Sequence, residues 1–165
     1  MRIAFVTGLF PKLSETFVLN QITGLLDRGH DVQIFAEQPG DQVKIHQDVI
    51  RYQLAKRTTY WQPYRHGIQG KIKRWLHPIN YGDFDVLYAH FGHVAEFARV
   101  QRASHVIRAR KLVAVFHAWD LTVLLQHKGK TYFRDLFLEA DLLLPISHLW
   151  AEILQTLGAS PKKIQ

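Results

Sequence analysis

Short, mostly apolar runs recur along the chain, each followed by a stretch whose apolar residues repeat at helical spacing. That alternation limits the fold more than any other feature. Residues Arg2 to Thr7 (RIAFVT) are closed by Gly8 and predict a strand buried on both faces. From Ser14, a plausible N-cap, Val18, Ile22, Leu25 and Leu26 mark one helical face that Gly29 stops. Asp31 to Ala36 (DVQIFA) then predicts a second strand, which completes a βαβ unit of ordinary size. The pattern returns as strand Asp85 to Ala89 (DVLYA), helix His93 to Ile107, and strand Leu112 to Phe116 (LVAVF). It closes with helix Tyr132 to Glu139, strand Asp141 to Pro145 (DLLLP) and helix Ser147 to Leu157, ended by Gly158. Between Gly40 and Gly82 the signal weakens, and the best reading there is a third strand at Val49 to Leu54 (VIRYQL) and a helix at His66 to Leu76. Strands alternating with helices predict a single α/β domain with a parallel sheet and helices on both faces. In such sheets ligands bind beyond the carboxyl ends of the strands, so the residues that follow each strand are the ones to examine.

The composition suits a soluble domain of 165 residues, 47% hydrophobic and 21% charged. No apolar run approaches the ~18 residues of a membrane span, and the N-terminus enters the fold pattern without a cleavable signal, so a cytoplasmic protein is expected. The absence of cysteine excludes thiol catalysis and thiolate metal sites. A net charge of +7 points to an anionic partner. The strongest charge feature runs from Lys56 to Trp75, where Lys56, Arg57, Arg65, Lys71, Lys73 and Arg74 occur with no acidic residue and with Tyr60, Trp61, Tyr64 and Trp75 interleaved. Three readings are open: a solvated surface, a patch for an anionic membrane surface, and a single-strand nucleic acid binder, the last disfavoured.

Histidine marks two strand ends. His90-Phe91-Gly92-His93 follows DVLYA, His117-Ala118-Trp119-Asp120 follows LVAVF, and Ile146-Ser147 follows DLLLP. A neutral imidazole at such a rim can bond a hydroxyl or act as a base; equally, backbone groups can satisfy it. No metal is expected, because His90 and His93 lack the HExxH context of a zinc helix. The chain has no GxGxxG after its first strand, no GxxxxGK[ST] and no GxSxG elbow. In place of a glycine-rich loop it carries FPKLSETF, Phe10 to Phe17, whose Ser14 either caps the helix or meets a ligand.

Taken in order, FPKLSETFVLNQITGLLDRGHDVQIFA, YAHFG, FHAWDL and EADLLLPIS with LGASPKKI resemble the N-terminal half of family 4 glycosyltransferases of the GT-B fold. The likeness is nearest to the bacterial colanic acid and exopolysaccharide branch. It implies a Rossmann-like, acceptor-side domain of an enzyme that transfers a sugar, with retention, from a nucleotide-sugar donor to a saccharide or lipid-linked acceptor. It further implies a C-terminal donor-binding domain as partner and no activity of the N-terminal domain alone, and a membrane patch at Lys56 to Trp75 would suit a peripheral place at the inner face of the cell membrane, where a lipid-linked acceptor is presented. By the same resemblance, FHAWD matches a His-Gly-x-Asp motif, which makes His117 and Asp120 the catalytic candidates, with Ala118 where the family has glycine. YAHFG matches a His-x-His-Phe-Gly motif with Tyr88 for the first histidine, leaving His90 and Gly92 as substrate-binding candidates. Ser14, Glu15 and Thr16 in the first loop, and Ser147 of a Pro-x-Ser-Glu motif whose glutamate is His148, complete the substrate-binding set. No cofactor beyond the nucleotide-sugar co-substrate is implied. The rival reading is a non-catalytic module of the same fold that uses its basic face on membrane or nucleic acid.

Overall fold

Strand β1 (Arg2–Phe10) is the central strand, parallel to β2 (Asp31–Pro39) on one side and to β4 (Asp83–His90) on the other. A computed structural model describes residues 1–61 and 81–165 of the chain. Strands β3 (Thr58–Tyr60), β5 (Arg108–Phe116) and β6 (Leu142–Pro145) complete a sheet of six in the order β3-β2-β1-β4-β5-β6, with every pairing parallel. The order reverses between β1 and β4, and the strand ends there open a crevice.

Side chains alternate across β1 and so divide the core. Ile3 and Phe5 join Val32, Ile34 and Ala36 of β2 beneath Val18, Leu19 and Ile22 of helix α1 (Thr16–Asp27). Ala4 and Val6 face the other way, with Leu87 and Ala89 of β4, onto Val94, Ala95 and Ala98 of helix α3 (Gly92–Ala103). That second layer continues through Leu112, Ala114 and Phe116 of β5 to Leu136 and Phe137 of helix α5 (Arg134–Glu139). Phe5, Ile34, Leu87, Leu112 and Leu136 are all fully buried, and each such side chain stabilises the fold by about 1.5–3 kcal/mol. Helix α6 (His148–Thr156) follows β6, and Ile164 forms a parallel bridge to Leu143 on that strand's outer side. Among the described residues no helix is long and apolar enough to cross a membrane.

The alternation therefore gives the expected α/β class, with three local corrections. VIRYQL is not a strand: Gln47–Arg51 form helix α2 and Leu54–Arg57 a 3-10 turn, and the third strand is Thr58–Tyr60. The His46 ring accepts from the Asp48 amide at 3.2 Å to cap α2, and burial of Val49 and Leu54 with Ile50 65% exposed does not follow a two-residue period. Ser14 does not cap α1: it is exposed, and Glu15 holds the N-cap position without a capping bond of its own. The strands are also longer than their apolar runs. Strand β1 passes through Gly8 to Phe10, β2 runs on to Pro39, and β4 and β5 begin at charged Asp83 and Arg108. The helix expected at 66–76, with Arg65, Lys71, Lys73 and Arg74, lies outside the described residues.

Candidate functional site

The crevice is floored by the turn that leaves β5. His117 follows the strand, and a helical run opens at Ala118, passes through a π turn at Asp120–Leu124 and ends in α4 (Leu125–Lys128). Asp120, fully buried, reaches back so that its Oδ2 accepts the His117 backbone N–H at 3.0 Å. A carboxylate at the third helical position returning to the first amide is half of a capping box, and it fixes the turn. The other oxygen, Oδ1, lies 3.2 Å from His93 Nδ1. One carboxylate thus holds the backbone of one histidine and the ring of another, and π turns of this kind concentrate at functional positions.

Above this turn the rings gather. His117 is half-buried against Phe91 (centroids 4.4 Å) and Phe17 (5.1 Å), and its Nε2 lies 3.2 Å from His90 Nδ1. His90 is the last residue of β4 and fully buried, so it reaches a ligand only through His117. Its second ring nitrogen lies 2.7 Å from Gln21 Oε1 of α1, the atom to which Tyr88 Oη donates at 3.0 Å. Burial, and then the neighbouring His117, push the His90 imidazole down to about 3. Burial likewise lowers His117, although Asp120 and Glu15 pull in the opposite direction. Both rings are neutral at pH 7. Phe91 adopts φ 72° between β4 and α3, and a non-glycine residue in that region stores strain where the chain turns into the crevice.

Beside this cluster lies a cleft of about 360 Å³ walled by Lys12, Glu15, Glu37, Phe91, His93 and Trp119. Lys12 Nζ donates to Glu15 Oε1 at 2.7 Å, the Trp119 ring is 45% exposed, and the His93 ring meets its edge at 5.3 Å. An exposed indole beside carboxylates is the usual equipment for a sugar ring, with the apolar face stacking and the hydroxyls bonding at the edge.

Of the candidates read from sequence, the structure brings His117, Asp120 and His90 together and sets Glu15 at the neighbouring cleft. Ser14 and Thr16 lie exposed at the start of α1. Ser147 is exposed at the start of α6 and makes no capping bond. Gly92 is buried, and a Cβ there would stand 2.7 Å from the rings of Phe116 and Phe133, so packing accounts for the glycine. His90 and His93 serve different partners, and among the described residues no three His, Asp or Glu side chains gather as a metal site. Lys56 and Arg57 lie at the opposite edge of the sheet, ahead of β3, where Arg57 pairs with Asp31 at 3.3 Å. Sequence reasoning missed Gln21, Phe17, Trp119 and the role of His93. The four-residue spacing of Phe17 and Gln21 on α1 is the one signal that would have exposed a pair.

A family model, Glycosyltransferase Family 4, matches residues 14–165. The chain is 34% identical to the putative colanic acid biosynthesis glycosyltransferase WcaL of Salmonella typhimurium, with 99% of this chain and 49% of that protein covered. It is also 34% identical to the amylovoran biosynthesis glycosyltransferase AmsK of Erwinia amylovora, with the same shares covered. The chain spans about half the length of these curated relatives. Among solved structures it is similar to Anabaena HepE in complex with UDP and glucose, with TM-score 0.61 and 16% identity over all of this chain and 43% of that one. The lipopolysaccharide outer core galactosyltransferase WaaB, in its apo form, gives TM-score 0.58 and 16% identity over all of this chain and 44% of that one.

Proposed function

Because the chain belongs to glycosyltransferase family 4, we propose that it forms the acceptor-side, N-terminal domain of a retaining glycosyltransferase of exopolysaccharide assembly. The reaction moves a sugar from a nucleotide-sugar donor to a saccharide or lipid-linked acceptor. Relatives that build colanic acid and amylovoran support the pathway class, and the crevice between β1 and β4 supports the side of the reaction. The observation that carries the reading is the buried Asp120, which holds the His117 backbone N–H at 3.0 Å in the turn that floors that crevice.

In this reading His117 meets the reacting sugar and holds it in register, while the cleft with Trp119 and Glu15 receives the acceptor. Retaining transfer requires the acceptor oxygen to form its bond to the anomeric carbon on the face from which the diphosphate departs; the diphosphate takes the bonding electrons of the broken bond and the proton released by the acceptor hydroxyl. Orientation of both groups is therefore the main contribution of this domain. The anionic leaving group needs cationic or dipolar stabilisation, and the neutral rings of His90 and His117 do not supply it. Charge neutralisation belongs to a donor-binding domain, so this chain by itself transfers no sugar. The basic run from Lys56 to Trp75 is assigned to an anionic membrane surface at which a lipid-linked acceptor is presented.

The test is His117→Ala in the full-length gene product, assayed with radiolabelled nucleotide sugars. One positioned imidazole is worth about 10²–10⁴-fold, so the rate falls by at least about 10². A rate near that of the unaltered protein removes His117 from the site.

A further inference from the structure

We propose that Gln21 is a positioning residue which, through His90, fixes His117 as the Nε2–H tautomer and leaves Nδ1 to accept a hydrogen bond from a sugar hydroxyl. The inference rests on the functional reading above and adds the polarity of the contact and the residues that set it.

Three side chains lie in a line. Gln21 Oε1 is 2.7 Å from His90 Nε2, and His90 Nδ1 is 3.2 Å from His117 Nε2. An amide oxygen only accepts, so the proton of the first contact belongs to His90 Nε2. A neutral imidazole carries one proton, which leaves His90 Nδ1 with a lone pair. The proton of the second contact therefore belongs to His117 Nε2, and the only ring nitrogen of His117 free to meet a ligand, Nδ1, is an acceptor. The Tyr88 hydroxyl donates to the same amide oxygen at 3.0 Å, consistent with that orientation of the amide. With the amide reversed, every proton in the line would move to the other end, and His117 would present a donor.

Two features keep the line neutral and still. His90 is fully buried and faces a second imidazole, so a proton added there would be both desolvated and repelled. The rings are also clamped: Phe5 stacks on His90 at 5.4 Å, Phe17 touches His90 at 5.8 Å and His117 at 5.1 Å, and Phe91 lies 4.4 Å from His117. Phe17 and Gln21 are one turn apart on α1, so a single helix face supplies both the clamp and the acceptor oxygen. A lone pair facing the ligand attracts a hydroxyl and repels a phosphate oxygen. His117 is thereby selective for a sugar hydroxyl, and the diphosphate lies elsewhere.

Long-range 1H–15N correlation on the labelled protein at pH 7 reads which nitrogen of each ring is protonated. The expected spectrum has His90 and His117 both protonated at Nε2 alone. Gln21→Leu, similar in size but without the oxygen, is expected to give mixed tautomers at His117 and, in the full-length protein, a kcat lower by about tenfold with KM little changed. A His117 protonated at Nδ1 or at both nitrogens overturns the proposal, as does an unaltered His117 pattern in Gln21→Leu. The spectrum is taken without substrate, so it judges the relay even where a fully active His117→Ala has already refuted the functional reading.

Discussion

Asp120 and His90 have no exposed surface, yet the arrangement of the crevice depends on them. Asp120 was visible in the sequence through the resemblance of FHAWD to a His-Gly-x-Asp motif, which reveals neither its burial nor its bond to the His117 amide. His90 was visible as a residue but not as a buried one, since the apolar run DVLYA stops short of it and only the pairing of His90 with Val115 carries the strand that far. Its burial has a thermodynamic consequence. With a folded value of about 3, below the ordinary 6.5, the native state binds fewer protons than the unfolded chain. Stability is therefore fully present above pH 6.5 and is lost as the pH falls toward about 3. One proton corresponds to a slope of about 1.4 kcal/mol per pH unit across that window. Urea midpoints measured at several pH values should show this extra slope in the unaltered protein and lose it in His90→Gln. Equal slopes in both would mean that His90 titrates normally in the folded state. Gln21 had no comparable mark: it is exposed, as a polar residue on an amphipathic helix is expected to be, and only the imidazole that ends the strand beneath it gives its oxygen a partner.

At the scale of elements, what the apolar pattern marks is the middle of each strand. The ends are set by other forces. Asp83 and Arg108 are register partners in β4 and β5, and Arg108 Nε lies 2.7 Å from Asp83 Oδ1, so both strands begin on a charged pair that no hydrophobic period reveals. VIRYQL misled because its β-branched residues suit a strand, while the His46 cap favours a turn of helix and Ile50 and Arg51, both exposed after buried Val49, break a strand's alternation. The start of α3 shows the opposite case, in which a motif read as ligand-binding is a packing device. Gly92 lets the helix settle on the rings of Phe116 and Phe133, each 2.7 Å from where a Cβ would stand. Both rings belong to buried core residues, and Phe133 and Phe116 also pack edge to face at 5.1 Å, which restricts their retreat. Gly92→Ala is accordingly expected to lower the unfolding free energy by about 1–3 kcal/mol, as overpacked cores do. Chemical denaturation measures it; a loss below about 0.5 kcal/mol would show that the two rings give way freely and that packing does not explain the glycine.

Among the described residues, opposite charges pair along one edge of the sheet. Where the strands begin, basic residues are matched with acids: Arg57 and Arg2 with Asp31, Arg108 with Asp83, Arg110 with Asp85, and Lys111 with Asp141. Exposed pairs of this kind contribute little stability each, but they leave that edge nearly neutral. The excess of +7 has to be sought in unmatched stretches, and the longest in the sequence is Lys56 to Trp75. Arg57 is already matched with Asp31, so the membrane assignment falls on Lys56, Arg65, Lys71, Lys73 and Arg74. Basic residues near an anionic leaflet are worth about 1 kcal/mol each, and screening shortens their reach from about 10 Å at 0.1 M salt to about 3 Å at 1 M. The protein is therefore expected to sediment with phosphatidylglycerol vesicles at low ionic strength and to be released by salt. Replacing two of the five cations by acids, Lys71→Glu with Arg74→Glu, reverses two charges and should abolish sedimentation at any salt. Sedimentation equal to that of the unaltered protein would detach the run from lipid, and retention on single-stranded oligonucleotide with no vesicle binding would reassign it to nucleic acid.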